Sequence, residues 1–200
     1  MPSLYGPTHR DLQRRFDTER LADRIEERLV RDFLSPEDRT LIERLDMFFL
    51  ATVDGEGRPS CSYKGGDPGF VRVVDERTLL FPSWDGNGMF LSLGNVAASA
   101  QVGLLFVDFE SQRRLRVQGA ARLEEAGAAG SEHPGAQLLV RVAVSEVFPN
   151  CSRYIHRLKL VERSPFVPRG AAPPPVPAWK RSDWARDVLP ASDPAREPGR

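Results

Sequence analysis

The chain has 200 residues, 28 of them basic and 28 acidic, and 40% are hydrophobic. That length fits one domain with appendages and can bury a real core. The balanced charge gives no reason to expect nucleic acid or an anionic membrane as a partner.

No stretch reaches the roughly 20 apolar residues of a membrane span, and the N-terminal sequence has no apolar run resembling a signal peptide. Cys61 and Cys151 are too few for a disulfide framework or a zinc site, which makes a reduced, cytoplasmic setting the expectation. The histidines, His9, His133 and His156, are scattered without metal-ligand spacing, so no metal is assigned.

From Thr18 to Leu34, Leu21, Ile25, Leu29 and Phe33 recur every fourth residue among Arg, Glu and Asp. This predicts an amphipathic helix with one narrow stripe. Ser35-Pro36 starts another, with serine as cap and proline in the first turn, and Leu41, Ile42 and Leu45 form its buried face. Both helices are expected to lie over one mouth of a barrel.

Met47 to Leu123 organises the rest. Met47–Val53 is an apolar run closed by the turn Asp54-Gly55-Glu56-Gly57. The next strand, Arg58–Gly66, puts Ser60, Ser62 and Lys64 on one face at period two. That face suits water or an anion equally, and Gly65-Gly66 would let a flat ligand approach the backbone. Phe70–Val74 and Thr78–Phe81 form a second hairpin. Gly86-Asn87-Gly88 then opens a segment with Met89, Leu93 and Val96 at helical spacing. A glycine-rich helix entry presents free N–H groups of the right polarity for a phosphate. The alternative is a tight turn capped by Asp85 or Asn87.

Val102–Phe109 is almost wholly apolar, so both of its faces need cover. Arg113–Arg122 alternates, with Arg114, Arg116 and Gln118 on one face, where they cover a barrel's outside or reach across a subunit boundary. Five or six antiparallel strands predict a small barrel. Ala126–Gly135 reads as a mobile loop. Gln137–Val147 returns to strand character, and Asn150 is placed to cap a short helix over Cys151–Leu158, followed by a short extended piece at Lys159–Arg163. From Pro165 the Pro-rich composition predicts an extended arm or a disordered tail, and Trp179 and Trp184 favour an arm that docks.

The segments FFLATVDGEGRPSCSYKGG, PGFVRVVDERTLLFPSWDGNGMFLSLGN, VGLLFVDFESQRRLRVQGAARL and VFPNCSRYIHR resemble the pyridoxamine 5'-phosphate oxidase-like, FMN-binding split-barrel family. The resemblance spans about Met47 to Arg157. It implies a mainly β (α+β) fold, a six-stranded antiparallel split β-barrel with N-terminal and short flanking helices. The N-terminal helical segment would cover residues 1–45, the barrel 46–165 and the Pro-rich arm 166–200. It further implies a homodimer with FMN at the subunit interface, acting on a small-molecule substrate.

In that frame, Ser60, Ser62, Lys64 and Gly65 form one wall. Asn87, Gly88, Met89 and Ser92 form the phosphate cradle. Tyr63, Trp84 and Asn95 line the ring or ribityl chain. Arg153 and Tyr154 close the site, with Arg114 and Arg116 as further contributors. Tyr63, His156 and Arg153 are also candidate proton donors or substrate anchors, although no side chain stands out as a general acid or base. Phe90-Leu91-Ser92 stands where the named oxidase has a basic Ser-Arg-Lys start, and the closing segment lacks its Trp/Arg arrangement. The expectation is therefore an FMN-dependent oxidoreductase without that activity. The competing readings are a flavin or haem sensor or store, and a deazaflavin-dependent reductase.

Overall fold

The computed structural model describes residues 3–127, 132–170 and 173–196. Three helices, α1 (Pro7–Arg15), α2 (Glu19–Leu29) and α3 (Pro36–Arg44), precede seven strands. These are β1 (Met47–Val53), β2 (Pro59–Gly65), β3 (Arg72–Asp75), β4 (Thr78–Ser83), β5 (Gln101–Asp108), β6 (Arg113–Glu125) and β7 (Leu138–Pro149), with α4 (Leu91–Ser99) between β4 and β5. All pair antiparallel in one sheet of order β2-β1-β5-β6-β7-β4-β3.

The mainly β split-barrel class is as expected, but the strand count is seven, not six. The strand read over Gln137–Val147 is β7, which brings the count to seven. It pairs along β6 on one side and along β4 on the other, and so joins the two halves of the sheet. Where β6 shifts register at Gln118/Gly119, a Cβ on Gly119 would lie 2.2 Å from the Ala143 carbonyl oxygen. Glycine is what lets the strands approach there.

The sheet curls on itself through aromatic rings. Phe48 of β1 meets Phe81 of β4 at 5.0 Å, Phe106 of β5 at 5.2 Å and Phe70 at 5.9 Å between centroids. The hairpin β1–β2 turns at Gly57, whose φ is 83°. The core-facing set also includes Leu50, Leu104, Leu115, Val117, Val140 and Val142. Leu93 and Val96 of α4 join it, so α4 plugs one end of the barrel.

The helix α3 behaves as its sequence predicts. Ser35 accepts a hydrogen bond from the Asp38 N–H at 3.2 Å, the Asp38 carboxylate accepts from Ser35 N–H at 2.8 Å, and Leu41 and Ile42 are buried. α2 does not. Leu21, Ile25, Leu29 and Phe33 are exposed, and α2 buries only Ala22. Its apolar stripe faces away from the barrel, because α2 packs on α1 and is held by Tyr5, whose hydroxyl donates to the Ala22 carbonyl.

Three further expectations change. Met89 lies outside α4, which starts at Leu91, and is exposed. The helix expected over Cys151–Leu158 is absent. A single turn closes from Ile155 N–H to the Ser152 carbonyl, and Tyr154, at φ 72°, stops any helical continuation. The chain then runs on without regular structure through Lys159–Arg163, pinned where Gln112 donates to the Ile155 carbonyl at 2.6 Å and Leu158 N–H to that of Phe109. Of the loop read at Ala126–Gly135, residues 128–131 lie outside the described part, as do 171–172 and 197–200 of the C-terminal segment. Trp179 and Trp184 stack on one another at 5.8 Å.

Phe48 is fully buried among three rings. Phe48→Ala should cost about 3–5 kcal/mol in urea unfolding. A loss under about 1 kcal/mol, the size of a surface change, would mean the barrel does not close on this residue.

Candidate functional site

β2 is an edge strand. Its register against β1 places Ser60, Ser62 and Lys64 opposite Thr52, Leu50 and Phe48, so these three polar residues sit on the core-facing side. Burying such groups needs partners or an opening. Here the opening is a cleft of about 390 Å³ where the barrel splits, between β2, the end of β4 and the start of α4.

Ser62 and Ser92 face each other across it, Oγ to Oγ at 3.1 Å. Lys64 is half-buried and has no carboxylate partner among the described residues. Burial alone pulls its ammonium pKa below the ordinary lysine value.

The helix α4 begins without a side-chain cap and with no acidic residue in its first turn. Gly94 N–H is bonded to the Phe90 carbonyl, so the N–H groups of Leu91, Ser92 and Leu93 have no intrahelical acceptor. Gly88 (φ 75°) and Phe90 (φ 49°) are both left-handed, which turns the chain sharply into the helix. The same turn uses the Asn87 side chain internally, since Met89 N–H donates to its Oδ1 at 3.1 Å. That leaves the Asn87 amide NH₂ as a donor, while the Met89 N–H is already engaged. An unpaired cation, two hydroxyls and three free N–H groups of a helix start compose a receptor for a small anion.

Of the residues the sequence singled out, Ser60, Ser62, Lys64, Trp84, Asn87, Gly88, Met89 and Ser92 line this cleft. Trp84 is fixed by its indole N–H on the Pro134 carbonyl, at 3.0 Å, and by stacking on Phe70 at 6.2 Å.

The others lie elsewhere. Tyr63 is on the opposite face of β2, edge-on to Phe49 and exposed. Gly65 and Gly66 leave room for side chains, not for a ligand. A Cβ on Gly65 would sit 2.6 Å from the Tyr63 ring, and one on Gly66 2.4 Å from Phe70. Asn95 is buried and donates to Thr52 Oγ1 at 3.0 Å, which ties α4 to β1. Arg114 and Arg116 belong to the outer face of β6, Arg116 over the Phe148 ring at 6.0 Å, and Arg114 has a buried Nε without a partner. Arg153 donates to Cys151 Sγ at 3.2 Å and Tyr154 is exposed. None of these four lines the cleft of its own chain.

Sequence reasoning missed Cys61, Ser83 and Gln137, whereas Gly86, Phe90, Leu91 and Leu93 lie within the glycine-opened segment it singled out. Ser83 carried a signal, since it shares the period-two face of Leu79 and Phe81, both buried. Gln137 carried none. It reaches the cleft because its N–H bonds the Ser83 carbonyl from a loop far along the chain.

A second, larger cleft of about 820 Å³ shares Trp84 and runs between Tyr63, Met47 and Val107 on one side and residues 158–167 on the other. Among the described residues, no group of acidic, cysteine or histidine side chains is arranged to hold a metal ion, and no helix is long and apolar enough to cross a membrane.

The curled antiparallel sheet with a polar cleft at its open side is a split barrel. The chain belongs to the pyridoxamine 5'-phosphate oxidase family, whose model matches residues 34–151. A comparison with curated proteins gives no match. Among solved structures, the chain is similar to HupZ of Group A Streptococcus, with 19% identity over 63% of this chain and 99% of that one and a TM-score of 0.48. It is similar to an FMN-binding protein from Syntrophomonas wolfei, with 11% identity over 70% and 97% of the two chains and a TM-score of 0.43. A third is HutZ, the heme storage protein of Vibrio cholerae, with 19% identity over 57% and 93% and a TM-score of 0.41.

Lys64→Ala should weaken binding of a phosphate-bearing ligand by roughly 1.5–3 kcal/mol, the usual worth of a hydrogen bond to a charged group, and leave thermal unfolding unchanged. Because burial lowers the Lys64 pKa, affinity should begin to fall on the alkaline side before the ordinary lysine range is reached. A flat pH profile up to pH 10 would remove Lys64 from the site.

Proposed function

We propose that the protein is an FMN-binding flavoprotein and an oxidoreductase acting on a small molecule, cytoplasmic and dimeric. One observation carries the reading: Lys64 stands half-buried and without a carboxylate beside the uncapped start of α4. The FMN phosphate carries about two negative charges and needs a cation with several donors. Lys64, the Ser62 and Ser92 hydroxyls and the N–H groups of Leu91–Leu93 are that set. Asn87, Ser60 and Gln137 are placed for the ribityl hydroxyls, and Trp84 is a fixed flat wall. When bound, FMN supplies hydride or single-electron transfer at its ring. The residues of this chain hold the phosphate, orient the cofactor and exclude water from one side of it.

The cleft supplies one cation among its lining residues, Lys64. The outer faces of β1 and β5 carry Phe49 and Leu105 as neighbours, with Arg116 opposite Leu105. A second copy seated on this face would cover them and would bring Arg114 and Arg116 of one protomer toward the other's cleft. A substrate with its own phosphate needs a second cationic cluster. With Lys64 given to FMN, the cleft's own lining has none, Arg114 and Arg116 of a second copy are the remaining cations, and the closing segment Asn150–Arg157 lacks the Trp/Arg arrangement of the named oxidase, so pyridoxamine 5'-phosphate is not the expected substrate.

The purified chain should quench FMN fluorescence on mixing and bind riboflavin, which lacks the phosphate, at least about tenfold more weakly. Equal affinities would sink the phosphate cradle. Leu105→Asp should convert dimer to monomer in sedimentation and lower FMN affinity with it. A monomeric wild-type chain with full FMN affinity would contradict the shared site.

A further inference from the structure

The Gly86–Phe90 turn is exposed throughout and spends two residues in left-handed backbone, one of them Phe90. A non-glycine residue there costs about 1 kcal/mol or more unless its surroundings hold it. The turn's own hydrogen bonding is slight: Met89 N–H to Asn87 Oδ1, and the Phe90 carbonyl to Gly94 N–H. Among the described residues its nearest tie to a distant part of the chain on the β4 side is at Asp85, which immediately precedes it, with Trp84 held on Pro134 one residue further back. Asp85 Oδ2 receives Lys180 Nζ at 2.5 Å.

Lys180 belongs to the C-terminal arm and is buried, with 4% of its side chain exposed. Within the arm it already has a carboxylate, Asp193, at 2.7 Å and equally buried. Asp193 alone neutralises it, so the second carboxylate, from the barrel, is what fixes where the arm sits. Ala185 and Leu189 are buried, and Trp179 stacks on Trp184, which gives the arm a small packed body of its own. A second pair of ties lands on Asp67, next to Gly66 in the lining of the larger cleft. Arg169 donates to Asp67 at 2.6 and 2.7 Å and Arg163 at 3.2 Å. Asp67 follows Lys64-Gly65-Gly66 directly. The arm thus grips the chain just after one half of the cradle and just before the other.

We propose that the arm is a strap, and that Lys180, clamped between Asp193 and Asp85, is a positioning residue that holds the Gly86–Phe90 turn in its anion-receiving shape. It rests on the reading of the cleft as a phosphate site.

The test is Asp85→Asn in the full chain, which leaves the Lys180–Asp193 pair and the arm's packing in place, with Lys180→Met as the second variant. Two things are measured: backbone ¹⁵N order parameters over residues 86–91, and the FMN dissociation rate by stopped-flow fluorescence. The expected result is lower order in the turn and release about five- to tenfold faster, a coupling of ordinary size, with the thermal midpoint of the barrel unchanged. An unchanged turn, or an unchanged release rate in a chain that binds FMN, overturns the strap. A wild-type chain that takes up no FMN overturns the cofactor instead, and the order parameters still decide whether Asp85 and Lys180 hold the turn.

Discussion

The barrel depends on one aromatic contact set. Phe48 brings β1 against β4 and β5 through Phe81 and Phe106, and Phe70 closes over the same ring. A seven-stranded antiparallel sheet has two edges, and here they are β2 and β3. Curling the sheet around Phe48 brings the β2 edge toward the end of β4 without hydrogen-bonding them. The split that results is a geometric consequence of closing through side chains and not through a ladder. It leaves β2's inner face open to the cleft, and that face carries Ser60, Ser62 and Lys64. α4 fills part of the gap with Leu93 and Val96 and presents its first turn to the remainder.

The electrostatic consequence follows from the same constraint. Several half-buried or buried cations of the described chain meet carboxylates: Arg31 meets Asp38, Arg44 meets Asp108, and Lys180 meets Asp85 and Asp193, while Arg114, outside the cleft, has a buried Nε without a partner. Lys64 meets no carboxylate among the described residues. A half-buried ammonium without a counter-charge is costly unless a ligand brings one. The uncapped α4 start is the same kind of deficit in backbone form. Two such deficits of one sign face a single cleft, and a phosphate would satisfy both.

Much of this was legible in the sequence because it is local. The period-two face of β2 and the glycine-opened turn before α4 are patterns a few residues long, and the structure brings them to one cleft as read. The capping box of α3 and the apolar β5 are equally local. What was not legible depends on where distant segments meet. Asn95 looks like a cradle residue by its place in α4, yet it turns to Thr52, because the helix face is set by how α4 plugs the barrel. Tyr63 lies next to Lys64 in sequence but a strand places it on the opposite face. Leu21, Ile25 and Leu29 have the spacing of a buried stripe, and what they pack against is a tertiary matter that periodicity does not settle. Gln137 comes to the cleft, and Lys180 to Asp85 before the glycine-opened turn, from loops and arms with no pattern at all. The expected helix after Asn150 failed for a local reason, the left-handed Tyr154, which sequence gave no means of foreseeing.

The central claim is that Lys64, the serine pair and the first turn of α4 form one anion receptor. Amide and lysine-ammonium NMR of the ¹⁵N-labelled chain, titrated with FMN, tests it most directly. The account predicts that the largest shifts fall on the N–H groups of Leu91, Ser92 and Leu93 and on the Lys64 ammonium, and that riboflavin fails to reproduce them. Saturable FMN binding with these four signals unmoved would contradict it.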